Sequence, residues 1–179
     1  MANLFKSLLT PILSLIFMAL GHGVFTTFVS IRLELESYSP TLIGIVIASF
    51  NAGILAGALL SPRWAVKLGC SRTLILLYAL NTVVILLHAI SLDAYYWMAL
   101  RFMAGVLLGS FFTVMESWFL KASLPSMRSQ ALSLYLIAYY IALSSGQLLL
   151  AGADPLLSTV YLMAAALSAA AAIPLAAGK

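Results

Sequence analysis

Charge is what this sequence has least of. Only 8% of its 179 residues are Asp, Glu, Lys or Arg, while 64% are hydrophobic. A soluble domain carries roughly a quarter charged and about half apolar residues, so both departures point to a membrane protein. Cysteine is almost absent as well, and the lone Cys70 excludes an internal disulfide and a cysteine metal cluster. No HExxH, Walker A loop or GxGxxG occurs. The formal charge of +4 is scattered rather than clustered, which argues against a nucleic-acid partner. No cofactor, metal or enzymatic activity is expected.

What the chain has in place of charge is a series of apolar runs, at 8–31, 41–62, 72–92, 95–119, 129–151 and 155–177. Each is about the 20 residues that a helix needs to cross a ~30 Å hydrocarbon core. Helices are the spanning element to expect, because bilayer core offers no partner to an open strand. The first run exceeds the roughly 7–15 apolar residues of a signal peptide, so it reads as a retained first helix. The expectation is one all-α domain of six transmembrane helices over residues 1–179, with the lipid bilayer as its surroundings.

The positive-inside rule orients them. With the N-terminus in the cytoplasm, Lys6, Arg63, Lys67, Arg72, Lys121, Arg128 and Lys179 fall inside and only Arg32 outside. Both termini are then cytoplasmic. Tyr95, Tyr96 and Trp97 read as anchors at the outer interface, and Trp64 and Trp118 at the inner one, the level at which Trp and Tyr concentrate.

Ionisable and polar residues inside apolar runs are costly, and so mark candidate sites. His22 sits between Gly21 and Gly23 in the first helix, where it either faces a water-filled cavity or bonds a neighbouring helix. His88 can reach the outer interface and receives no role. Asn51 in the second helix reads as an interhelical hydrogen bond. Gly53 and Gly57 form a GxxxG that permits close helix packing. In the fifth helix, Tyr135, Tyr139, Ala142 and Gly146 share one face, either as packing or, through Tyr139, as a polar cavity contact.

The fourth helix carries the strongest pattern. Arg101, Gly105, Gly109, Phe112 and Glu116 fall within an arc of roughly 80°. Arg101 and Glu116 are about 22 Å apart along the axis, so each needs its own partner. Arg101 either snorkels to the outer interface or faces the bundle interior. Glu116, level with Trp118, reads as an ion-pair partner of Lys67, Arg72, Lys121 or Arg128 at the cytoplasmic edge.

Six helices, a basic second-to-third loop and RxxxGxxxG in the fourth helix together resemble the N-terminal half of a major facilitator superfamily transporter. Arg101, Gly105 and Gly109 match that family's fourth-helix motif. Gly57, Lys67, Gly69 and Arg72 in GALLSPRWAVKLGCSR resemble its loop signature, although Val66 stands where an acid is usual. GHGVF (21–25), KLGCSR (67–72), MESWF (115–119), RSQALSLY (128–135) and GQLL (146–149) resemble the YcaD-like branch.

The resemblance implies a secondary transporter of the bacterial inner membrane, moving a small molecule by alternating access between two six-helix bundles, with proton coupling. Each bundle would contain two inverted three-helix repeats. Helices one and four would face the cavity, making His22 and Arg101 contacts for cargo or proton. The six helices would be a half whose second six-helix partner is missing, or would pair with a second copy. A non-transporting membrane subunit is the rival reading. A rhomboid-like protease is rejected, because Leu143-Ser144-Ser145-Gly146 lacks the first glycine of that nucleophile motif and no histidine follows it.

Overall fold

The computed structural model describes residues 2–61 and 67–177, with side chains from Leu8 onward. The Lys6 side chain, and all of Arg63, Trp64, Val66 and Lys179, lie outside the described residues. The chain forms α1 (Ala2–Leu35), α2 (Pro40–Leu60), α3 (Cys70–Leu87), α4 (Ala94–Ala122), a short 3-10 turn (Pro125–Met127), α5 (Arg128–Leu150), α6 (Thr159–Ala170) and α7 (Ala172–Ala177). No strand occurs among the described residues. Six spans are long and apolar enough to cross a membrane, α6 and α7 together making the sixth. The expected all-α membrane fold is what the chain adopts.

Local chemistry accounts for the helix ends. Ser39 caps α2, its hydroxyl accepting from the Leu42 amide at 3.3 Å, and Pro40 occupies the first position, where no N–H is required. Asp93 caps α4 by accepting from the Tyr96 amide at 2.8 Å. The third helix ends at Leu87 rather than 92. The sixth span starts at Thr159 rather than 155, since Asp154 holds the Leu156 amide at 2.9 Å in a turn. Pro174 cannot donate to the Ala170 carbonyl, and its ring crowds that oxygen. The helix accordingly breaks at Ala171.

Three connections meet at one end of the bundle. The Tyr38 hydroxyl donates to the Leu92 carbonyl at 3.0 Å, and Arg32 Nη1 to the Pro155 carbonyl at 3.1 Å. These bonds tie the α1–α2, α3–α4 and α5–α6 turns together. An aromatic cluster of Phe25, Phe28, His88, Trp97 and Tyr161 lies beneath them. A second core cluster occupies the remainder of the bundle.

The principal packing pairs are α2 with α4, α1 with α5, α1 with α6, α3 with α4 and α3 with α6. Exchanging the first three helices for the last three converts α1–α5 into α4–α2, and α1–α6 into α4–α3. The pattern maps onto itself. Three is an odd number of spans, so the second triplet enters from the opposite side, as two inverted repeats require.

Two expectations about side chains need correction here. Trp97 is 0% exposed rather than at an interface. Its indole N–H donates to the Ser91 carbonyl at 2.6 Å, with the His88 carbonyl at 3.2 Å, and a satisfied N–H allows the whole ring to be buried. His88 is likewise 0% exposed, its Nδ1 bonded to the Val84 carbonyl at 2.7 Å and its ring edge-on to Phe25 and Trp97. Tyr95 is exposed, as an interfacial residue would be.

Candidate functional site

The site begins with how closely α2 and α4 approach. Gly53 and Gly57 on α2 face Gly105 and Gly109 on α4, and a Cβ at Gly105 would run into the Phe50 carbonyl oxygen. Small residues permit backbone contact of this kind. Side chains reach across the contact, Ser110 Oγ donating to the Gly57 carbonyl at 3.2 Å, while Ser49 Oγ lies 3.0 Å from the Met98 carbonyl and 2.7 Å from that of Val46 in its own helix. This crossing sets the ring of Phe50 against the side chain of Arg101.

Arg101 is 2% exposed. Its guanidinium carbon lies 3.9 Å from the centre of the Phe50 ring. Its Nε has no hydrogen-bond partner, and no ion pair or hydrogen bond reaches the side chain among the described residues. A buried ion loses several kcal/mol of hydration. A desolvated cation–π contact returns about 2 kcal/mol. The contact falls short, so this charge is held by the fold without being neutralised by it.

His22 shares this environment. Its ring stacks on Phe50 at 5.6 Å between centroids and 23° between planes, and its Nδ1 lies 3.2 Å from Thr26 Oγ1. Arg101 and His22 line one cavity together with Phe50, Tyr78, Asn81 and Phe111. The cavity sits where the two core clusters meet, with Phe25 and Ile85 contributed by one and Met18 and Leu77 by the other. Snorkelling to an interface is therefore not what Arg101 does; it faces the bundle interior.

A polar seam backs this cavity. Ser14 Oγ lies 2.8 Å from the Tyr78 hydroxyl and 2.7 Å from the Ala171 carbonyl. A carbonyl can only accept, so Ser14 donates to Ala171 and accepts from Tyr78. Asn81 Nδ2 donates to Ser168 Oγ at 2.9 Å. These bonds connect α1, α3 and the sixth span.

The remaining candidates lie elsewhere. Tyr135, Tyr139, Ala142 and Gly146 form the buried face of α5. Gly146 meets the Leu20 carbonyl of α1, while Tyr139 packs edge-on to Phe112 at 5.1 Å, outside the Arg101 cavity. Glu116, Lys67, Arg72 and Arg128 are all exposed, and among the described residues none of these cations comes within 4.0 Å of the Glu116 carboxylate. Asn51 is exposed and bonds the Ile47 carbonyl of its own helix at 3.3 Å, which corrects the interhelical expectation.

Sequence reasoning missed Phe50, Tyr78 and Asn81. Asn81 was detectable as a polar residue inside an apolar run. Phe50 carried no signal, since its role depends on where two helices cross.

The chain resembles known proteins in sequence. The chain is 30% identical to a major facilitator superfamily (MFS)-type transporter of Yersinia enterocolitica, over 95% of this chain and 44% of the relative. It is 28% identical to one of Yersinia pestis over the same shares. It is 29% identical to the MFS-type transporter YcaD of Escherichia fergusonii, over 90% of this chain and 42% of the relative. The chain thus spans about half the length of the curated relatives it matches. No family model and no solved structure matches it.

Proposed function

Because this chain is homologous to MFS-type transporters, YcaD among them, over about half of their length, we propose that it forms one six-helix half of a secondary transporter. On this reading a small molecule crosses the bacterial inner membrane by alternating access, one six-helix body rocking against another about a central site. The second body is a C-terminal six-helix half or a second copy of this chain. α2 and α5, which correspond under the repeat, are the two least buried spans, and this supports their facing that second body or lipid. The distribution of Lys and Arg supports cytoplasmic termini.

One observation carries the reading: a buried guanidinium without a hydrogen-bonding or charged partner opens on a cavity at membrane depth. Unpaired charge there is kept where an ion or substrate pathway uses it. Arg101 is the cargo contact. His22, beside it on the same aromatic ring, lines the same cavity and is the second candidate contact for cargo or proton. Tyr139, Lys67, Arg72, Glu116 and Arg128 lie outside the lining of this cavity.

Alternating access is tested by thiol labelling of the assembled transport unit. On a Cys70→Ser background, His22→Cys should react with a membrane-impermeant maleimide from either face of oppositely oriented vesicles. Reaction from one face only, or from neither, contradicts the proposal.

A further inference from the structure

We infer that the cargo of the Arg101 cavity is a small organic anion whose carboxylate is bound by the Arg101 guanidinium, an assignment that rests on the transporter reading above. The argument is one of charge accounting. The chain has five acidic residues, and all five are described. Glu36 pairs with Arg32. Asp93 and Asp154 hold backbone amides at helix starts and turns. Glu34 is exposed at the end of α1. Glu116 is exposed on α4, about 22 Å along the helix axis from Arg101 at ~1.5 Å per residue. None of them reaches the guanidinium, so its counter-charge comes from outside the chain.

The donor geometry narrows the class. A guanidinium presents a planar fork that matches a carboxylate with two parallel N–H···O bonds, and here the Nε is unpartnered. Around the fork the cavity walls are largely apolar, with Met18, Phe25, Leu108 and Phe111 contributing, while His22, Tyr78 and Asn81 are the polar exceptions. Such walls suit a compact apolar body carrying one carboxylate, and the free space of about 30 Å³ must widen to admit it. A cation finds no acid in the cavity and meets the Arg101 charge directly.

The test is thermal melting of the purified chain in neutral detergent, at fixed ionic strength, with benzoate, benzamide, phenyltrimethylammonium or inorganic phosphate. Benzoate should raise the midpoint by several degrees, and the other three should not. Arg101→Gln should abolish the benzoate shift, and Arg101→Lys should keep part of it. If Arg101→Gln does not fold, the four-compound series on the unaltered chain decides alone. Benzamide or the quaternary amine matching benzoate overturns the inference, and so does phosphate matching it, which would mark an unselective anion site. Loss of the benzoate shift on assembly with a second six-helix body also overturns it, since a carboxylate of that body would then be the counter-charge. Arg101-dependent transport of a neutral or cationic molecule removes the anion class and leaves the transporter reading standing. Benzoate binding by an assembled unit that transports nothing keeps the anion site and removes the transporter reading.

Discussion

The Arg101 guanidinium carbon stands 3.9 Å from the centre of the Phe50 ring, and this ring is the one attractive partner the buried charge has among the described residues. Phe50→Leu keeps the site apolar and removes the π face. The loss of a desolvated cation–π contact, about 2 kcal/mol, should lower the melting midpoint by several degrees. Phe50→Tyr should stay near the original value. The comparison is made by circular dichroism on both variants in detergent, and a Phe50→Leu midpoint unchanged from the parent contradicts the assignment.

Glycine substitutions should separate contact from propensity. Gly105→Ala places a methyl against the Phe50 carbonyl of α2, and overpacking of this kind costs roughly 1–3 kcal/mol. Gly44→Ala on the same pair of helices meets nothing within 4 Å and gains up to about 1 kcal/mol of helix propensity. Thermal melting of the two should therefore move in opposite directions.

The polar seam behind the cavity should behave as a coupled pair. Ser14→Ala leaves the buried Tyr78 hydroxyl without its acceptor, at a cost of about 1–3 kcal/mol. Tyr78→Phe removes that orphaned group, so the double variant should be more stable than the sum of the single losses implies. Additive losses in a double-mutant cycle on melting free energies would mean that Ser14 and Tyr78 are not bonded.

Trp97 offers a test that requires no transport assay. On a Trp64→Phe, Trp118→Phe background it is the remaining tryptophan, and its complete burial predicts blue-shifted emission that aqueous iodide barely quenches. Strong quenching would return it to the interface.

The helices were legible because hydrophobic runs of spanning length leave few alternatives, and Arg101 and His22 stood out as costly groups inside such runs. Their shared environment was not legible. It depends on the α2–α4 crossing at Gly53 and Gly105, which brings an ordinary phenylalanine under a guanidinium, and nothing in the local pattern of Phe50 announces that. Trp97 was misread for a related reason. A tryptophan near a helix end suits an interface until a carbonyl, here that of Ser91, satisfies its N–H and lets the ring sink into the core. Asn51 shows the converse, as a polar residue in an apolar helix that found its partner one turn back on its own backbone. Boundaries at Leu87 and Thr159 turned on local turn chemistry that hydropathy does not register.

The account stands most directly on transport by the assembled unit carrying Arg101→Ala or Arg101→Lys, measured in vesicles against a panel of labelled small acids, with membrane insertion quantified in parallel. Arg101→Ala should insert normally and transport at least about tenfold more slowly than the parent, a loss of 1.4 kcal/mol or more in transition-state terms, while Arg101→Lys should retain part of the rate. Parental transport by Arg101→Ala would contradict the central claim that the unpaired guanidinium is the cargo contact.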